Sequence, residues 1–128
     1  MKVITRKTHG YLDYIVGALL IVAPWLLGFN NGRSETLVPV TLGVGTILYS
    51  ILTDYELGAA RLIPFRVHLT IDVLNGVFLA ASPWMFGFND RVYLPHLIIG
   101  LMELLVVVLT DPGTVKSRTR QHTMGEPG

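Results

Sequence analysis

Four long apolar runs constrain this chain more than any other feature. His9 to Phe29 contains one acid, Asp13. Thr36 to Thr53 carries no formal charge. His68 to Phe88 contains Asp72, and Val92 to Thr110 contains Glu103. A helix needs about 20 mostly apolar residues to cross a hydrocarbon core of about 30 Å. At 1.5 Å per residue the runs reach roughly 27–32 Å. The rest of the chain offers little from which to build anything else. It is 51% hydrophobic and 15% charged over 128 residues, with mean hydropathy +0.52, against about 25% charged in an ordinary soluble domain. A soluble domain this small has too much surface for so few charges. Disorder is excluded, because disordered chains are poor in apolar residues. A net charge of +1 argues against a nucleic-acid partner. The absence of cysteine removes disulfides, zinc-thiolate sites and a thiol nucleophile. The fold class expected is an all-α membrane protein with four transmembrane helices, its first partner the lipid bilayer.

The connections organise the spans. Asn30 to Glu35 and Asn89 to Arg91 are short, so spans 1 and 2, and spans 3 and 4, form tight hairpins. This divides the chain into an N-terminal arm (1–8), a first hairpin (9–53), a linker (54–67), a second hairpin (68–111) and a polar tail expected to be disordered (112–128). Span 1 follows a basic stretch, as a secretory signal would. It lacks an A-x-A site, however, and a close copy occurs inside the chain where no signal acts. Lys and Arg set the orientation. Lys2, Arg6, Lys7, Arg61, Arg66, Lys116, Arg118 and Arg120 fall on one side, and only Arg33 and Arg91 on the other. Both termini are therefore expected in the cytoplasm, with the protein in a bacterial inner membrane.

The runs also repeat. HGYLDYIVGALLIVAPWLLGFN (9–30) lies over HLTIDVLNGVFLAASPWMFGFN (68–89) without a gap, with nine of 22 positions identical. They include His9/His68, Asp13/Asp72, Gly17/Gly76, Pro24/Pro83, Trp25/Trp84 and Gly28/Gly87. The second spans match at Gly43/Gly100, Leu52/Leu109, Thr53/Thr110 and Asp54/Asp111. A duplicated hairpin follows. Each copy begins and ends on the same side, so the copies are parallel and a pseudo-two-fold axis along the membrane normal is expected to relate them.

The pattern H-x3-D-x3-G-x6-P-W-x2-G-F-N, present twice, resembles the SPW-repeat integral membrane proteins, named for a Ser-Pro-Trp motif in the first of two membrane helices per repeat. Ser82-Pro83-Trp84 fits as written, and the first copy reads Ala23-Pro24-Trp25. The resemblance covers about residues 8 to 111. It implies a bacterial-type four-helix membrane protein and supplies no reaction.

Spacing suggests what the motif residues do. His9, Asp13 and Gly17 recur every fourth residue, as do His68, Asp72 and Gly76, so each trio lies on one helix face. Polar and small residues on a membrane helix turn toward protein. The reading is a hydrogen-bonded lock between helices; a proton or cation site shared by the copies, and a bound metal, are the alternatives. Asp54 and Asp111 end spans 2 and 4, where a carboxylate opposes the helix dipole. Arg6 and Arg66 are candidate partners, which would complete a cytoplasmic ring. Trp25 and Trp84 fall near the outer interface, where Trp anchors in headgroups. Pro24 and Pro83 permit a bend, and Gly28 and Gly87 resemble helix stops. Glu103 and Asn75 occur only in the second copy, at similar depth. Glu103 inside the bilayer must be protonated, paired or hydrated. A neutral Glu103–Asn75 hydrogen bond, or a bond between subunits, is expected; a proton relay is the alternative.

No nucleophile–base pair, phosphate loop, redox motif or haem-ligand pattern emerges, so no catalytic residue, cofactor or metal is assigned. The expected function is a structural or accessory scaffold, with a homo-oligomer or a membrane-protein partner left open. The alternative is a small proton- or cation-coupled carrier or channel using Glu103 and the His/Asp residues.

Overall fold

The computed structural model describes residues 2–113. The tail expected over 112–128 therefore falls almost wholly outside the described residues. Four helices run in order: α1 (Arg6–Leu26), α2 (Ser34–Ile51), α3 (Phe65–Met85) and α4 (Leu94–Leu109). Among the described residues there is no strand, only two isolated bridges, Ile4 with Thr110 and Thr53 with Ile63. α1 and α2 are long and apolar enough to cross a membrane. α3 has the same 21-residue length as α1 and carries Arg66, His68, Asp72 and Asn75. α4 is apolar but has 16 residues, about 24 Å of helix.

Local chemistry sets the boundaries. α1 starts three residues before His9, because the Thr5 side chain accepts from the Thr8 N–H at 3.2 Å and caps the helix. α3 likewise starts before His68, at Phe65, directly after Pro64, and α2 ends at Ile51, so the middle connection runs over 52–64 against the 54–67 expected. At the other end, Gly28 (φ +76°) and Gly87 (φ +71°) adopt the left-handed conformation. The next N–H in each case, Phe29 or Phe88, reaches back to the carbonyl of Pro24 or Pro83 at 2.8 Å. This six-residue closure satisfies a helix-end carbonyl and favours glycine, whose lack of Cβ removes the steric penalty.

Packing within each hairpin depends on a glycine pair. A Cβ on Gly43 would lie 2.6 Å from the Gly17 carbonyl oxygen, and one on Gly100 would lie 2.6 Å from that of Gly76. Backbones approach this closely only without side chains between them. Gly17 and Gly76 therefore face the second helix of their own hairpin, while the histidine and aspartate of the same stripes face the other hairpin. Between hairpins, α2 packs on α3. A small apolar centre of Val16, Leu20, Val38, Leu79 and Ile99 fills the middle. Most of the bulky aliphatic surface points outward, including Ile15, Leu26, Leu48, Leu74, Leu105 and Val108.

Gly43→Ala should therefore force the first hairpin apart and lower stability by about 1–3 kcal/mol. Gly45, with open space where its Cβ would stand, should tolerate alanine or gain about 0.5–1 kcal/mol from helix propensity. Thermal unfolding in detergent measures both, and equal effects at the two positions would contradict the close approach.

Candidate functional site

The first turns of α1 and α3 bring His9, Asp13, His68 and Asp72 into one buried cluster. The i, i+4 spacing sets each aspartate beside its own histidine, at 3.1 Å for His9–Asp13 and 3.2 Å for His68–Asp72. The closer contacts cross between the hairpins: His9 Nε2 to Asp72 Oδ2 and His68 Nε2 to Asp13 Oδ2, both 2.8 Å. Each histidine thus sits between two carboxylates, one from each copy of the motif.

The far side of each ring is held in the same way. His9 Nδ1 meets Thr110 Oγ1 at 2.8 Å, and His68 Nδ1 meets Thr53 Oγ1 at 2.7 Å. The Thr110 hydroxyl donates to the Val106 carbonyl at 2.5 Å and the Thr53 hydroxyl to the Tyr49 carbonyl at 2.6 Å. Each hydroxyl has one proton and has already given it, so each Nδ1 must be the donor. That assigns the tautomer from the network and turns both Nε2 atoms toward the carboxylates. With one proton in each cross-hairpin Nε2–carboxylate contact, the four groups sum to zero net charge wherever each proton sits along its line. A neutral assembly is what a low-dielectric interior tolerates.

Tyrosines complete the carboxylates. Tyr49 donates to Asp72 Oδ1, and Tyr55 donates to Asp13 Oδ2 at 3.2 Å. Burial is the main force pushing the Tyr55 phenol above its ordinary range, so it stays a donor. Tyr55 also stacks on Phe65, which stacks on His68, with centroids 5.6 and 5.7 Å apart. These rings cover the cluster where α1 and α3 begin.

Glu103 and Asn75 are not hydrogen-bonded to each other. Asn75 Nδ2 donates to the Tyr49 hydroxyl at 3.3 Å, whereas Glu103 lines a cavity of about 50 Å³ shared with Thr46, His9, Asp13 and Asp72. The expected Glu103–Asn75 bond is thus replaced by a bond from Asn75 to Tyr49, because Asn75 points toward α2. The ring expected around Asp54 and Asp111 is also not brought together. Arg6 pairs with Glu56 at 3.0 Å, and Asp54, Arg66 and Asp111 are exposed. Asp111 Oδ1 accepts from the Gly113 N–H at 3.0 Å. Trp25 and Trp84 are exposed, and Pro24 and Pro83 are buried. The Ser82 hydroxyl donates to the Leu79 carbonyl of its own helix at 2.7 Å, which explains why Ala23 can occupy the matching place.

The opposite end holds a second junction that sequence spacing did not reveal. Glu35, buried at the start of α2, accepts from Arg91 Nε at 2.9 Å and Nη2 at 3.2 Å. Asn31 donates to the same carboxylate. The Glu35 carboxylate raises the Arg91 guanidinium further above its ordinary range, so it stays charged. His96 of α4 donates from Nε2 to the Glu35 carbonyl at 2.9 Å. None of these residues has a counterpart in the other copy. Thr53 and Thr110 did carry a signal, being matched between copies; Tyr49, Tyr55, Glu35 and His96 carried none.

Asp72→Leu should cost about 3–5 kcal/mol in thermal unfolding, since it leaves two buried histidines short of an acceptor. Replacing all four cluster residues with apolar side chains of similar size should recover most of that loss. A single-substitution cost below about 1 kcal/mol would show that the cluster does not hold the hairpins together.

A model of the SPW repeat domain family matches residues 7–110. No curated protein and no solved structure matches the chain.

Proposed function

Because this chain belongs to the SPW repeat domain family, we propose that it is a small integral membrane protein acting as a structural or accessory scaffold. One observation carries this reading. The polar interior is used to join the two hairpins, by the His/Asp cluster at one end and by Glu35, Arg91 and His96 at the other, while bulky apolar side chains face outward. That distribution suits lipid as the surrounding solvent.

In this reading all four helices span the bilayer. The shorter α4 is accommodated by local thinning of the bilayer or by flanking residues. The copies are parallel, related by a pseudo-two-fold axis along the membrane normal through the cluster. The reciprocal contacts support this: Ile4 bridges Thr110 as Ile63 bridges Thr53, and His9 meets Thr110 as His68 meets Thr53. The Lys and Arg distribution supports cytoplasmic termini in a bacterial inner membrane. The cavity beside Glu103, about 50 Å³, is well below the roughly 300 Å³ at which ligand pockets begin. A homo-oligomer or another membrane protein is the partner class this reading leaves for the outward face.

The same cavity favours a second reading, a proton-coupled carrier or channel. It joins Glu103 to His9, Asp13 and Asp72 and has room for a few waters at about 10–15 Å³ each. Glu103→Gln separates the two. For a scaffold, the wild-type protein in proteoliposomes moves no protons across a pH gradient, and the variant keeps its thermal stability. Proton flux that Glu103→Gln abolishes without unfolding the protein would replace the scaffold by the carrier.

Topology is testable because the chain has no cysteine. Single cysteines at Asn30 and Asp90 should react with a membrane-impermeant maleimide added outside the cell. Cysteines at Ala59 and Gln121 should react only after permeabilisation. The reverse pattern would invert the orientation.

A further inference from the structure

We propose that His9, Asp13, His68 and Asp72 form a binding site for one divalent first-row transition cation, of which zinc is the type. The proposal concerns only the cluster and holds whether the protein is a scaffold or a carrier. The four residues each offer one ligand atom, and these atoms lie within 4.8 Å of one another. Two imidazole nitrogens and two carboxylate oxygens make a donor set that suits zinc, cobalt and manganese.

The geometry is close to that of a coordination shell. Ligand bonds of about 2.0–2.1 Å in a tetrahedron put neighbouring ligand atoms about 3.3 Å apart. The four His–Asp distances are 2.8, 2.8, 3.1 and 3.2 Å, with Asp13 turning Oδ1 to His9 and Oδ2 to His68, and one ligand atom from each residue lies within 4.8 Å of the others; seating an ion opens the short pairs by a few tenths of an ångström, turns the Asp13 carboxylate and draws in the wider pairs.

An independent observation points to a ligand. His68 Nε2 is fully buried and has no hydrogen-bond partner, although Asp13 Oδ2 is 2.8 Å away. The two atoms touch without the alignment of a hydrogen bond, unlike the His9 Nε2–Asp72 Oδ2 pair across the cluster, which has it. A buried polar atom without a partner is costly, and a cation between the carboxylates would satisfy it.

The surroundings match what metal-ligating residues require. Ligating histidines donate their other N–H to an acceptor, which fixes ring orientation. His9 and His68 do so to Thr110 and Thr53. The ligating carboxylates are themselves hydrogen-bonded, Asp72 by Tyr49 and Asp13 by Tyr55. The charges also balance: two carboxylates and two neutral imidazoles carry −2, which one divalent cation cancels. The cation takes the place of the two protons now held in the Nε2–carboxylate contacts, and these leave to solvent. Binding therefore weakens as pH falls, by about 100-fold per pH unit where both protons are displaced. A cavity of about 50 Å³ borders the cluster on the Glu103 side.

The test uses the full-length, tag-free protein in detergent, stripped with a chelator and titrated with Co²⁺ and Zn²⁺. The expected result is one Co²⁺ per chain, with strong visible bands of a low-symmetry four- or five-coordinate site. Zn²⁺ should displace Co²⁺ and raise the thermal midpoint by several degrees. Asp72→Asn and His68→Gln should weaken binding at least about 100-fold, while Glu103→Gln and His122→Gln leave it unchanged. If the cluster variants fail to fold, X-ray absorption on zinc-loaded wild-type protein decides: a shell containing two imidazoles supports the site. A shell of oxygen donors alone overturns it, as does the absence of stoichiometric binding at millimolar Co²⁺ or Zn²⁺, or binding that Asp72→Asn leaves intact.

Discussion

Two histidines and two aspartates pair crosswise where the two hairpins meet. Each histidine contacts the aspartate one turn along its own helix and, more closely, the aspartate of the other hairpin. The contact within a helix is supplied by i, i+4 spacing wherever the motif occurs. The contact between hairpins exists only when both copies are present and face each other. One motif alone would bury a histidine and an aspartate with one partner each. Two motifs together set each histidine between two carboxylates and cancel the charge, which is the condition for placing four ionisable side chains in an interior.

Other features follow from keeping that junction dry and aligned. The threonines that end α2 and α4 orient the rings because their own protons are committed one turn back, to Tyr49 and Val106. The same two threonines bridge to Ile63 and Ile4, just ahead of α3 and α1, so one residue type fixes both the backbone and the imidazole. Tyr55 and Phe65 close the end of the cluster with stacked rings. The glycine pairs bring each hairpin's helices close enough for the threonine of one helix to stand beside the histidine of the other hairpin.

The two ends of the bundle are built on different principles. Around the cluster the contacts are reciprocal, each made once by each copy. At the hairpin turns Glu35, Arg91 and His96 make a single, one-sided junction. Glu103 is also present in only one copy, and it borders the cluster through a small cavity.

The four helices, the motif glycines and the stops at Gly28 and Gly87 were legible in the sequence. Each is set by local rules: run length, helical spacing, and the left-handed conformation that glycine accepts. The His/Asp stripes were legible as well, as polar faces that needed protein to face. What they would face was not. Their threonine and tyrosine partners, the pairing of Arg6 with Glu56 rather than Asp54 or Asp111, the bond of Asn75 to Tyr49 rather than Glu103, and the whole Glu35–Arg91–His96 junction appeared only in the tertiary structure. The physical reason is rotational. Spacing along a helix fixes which residues share a face, but the side from which another helix approaches fixes which two faces meet. That choice depends on close packing at the glycines and on charge balance across the whole bundle, and neither quantity belongs to any one segment of the chain.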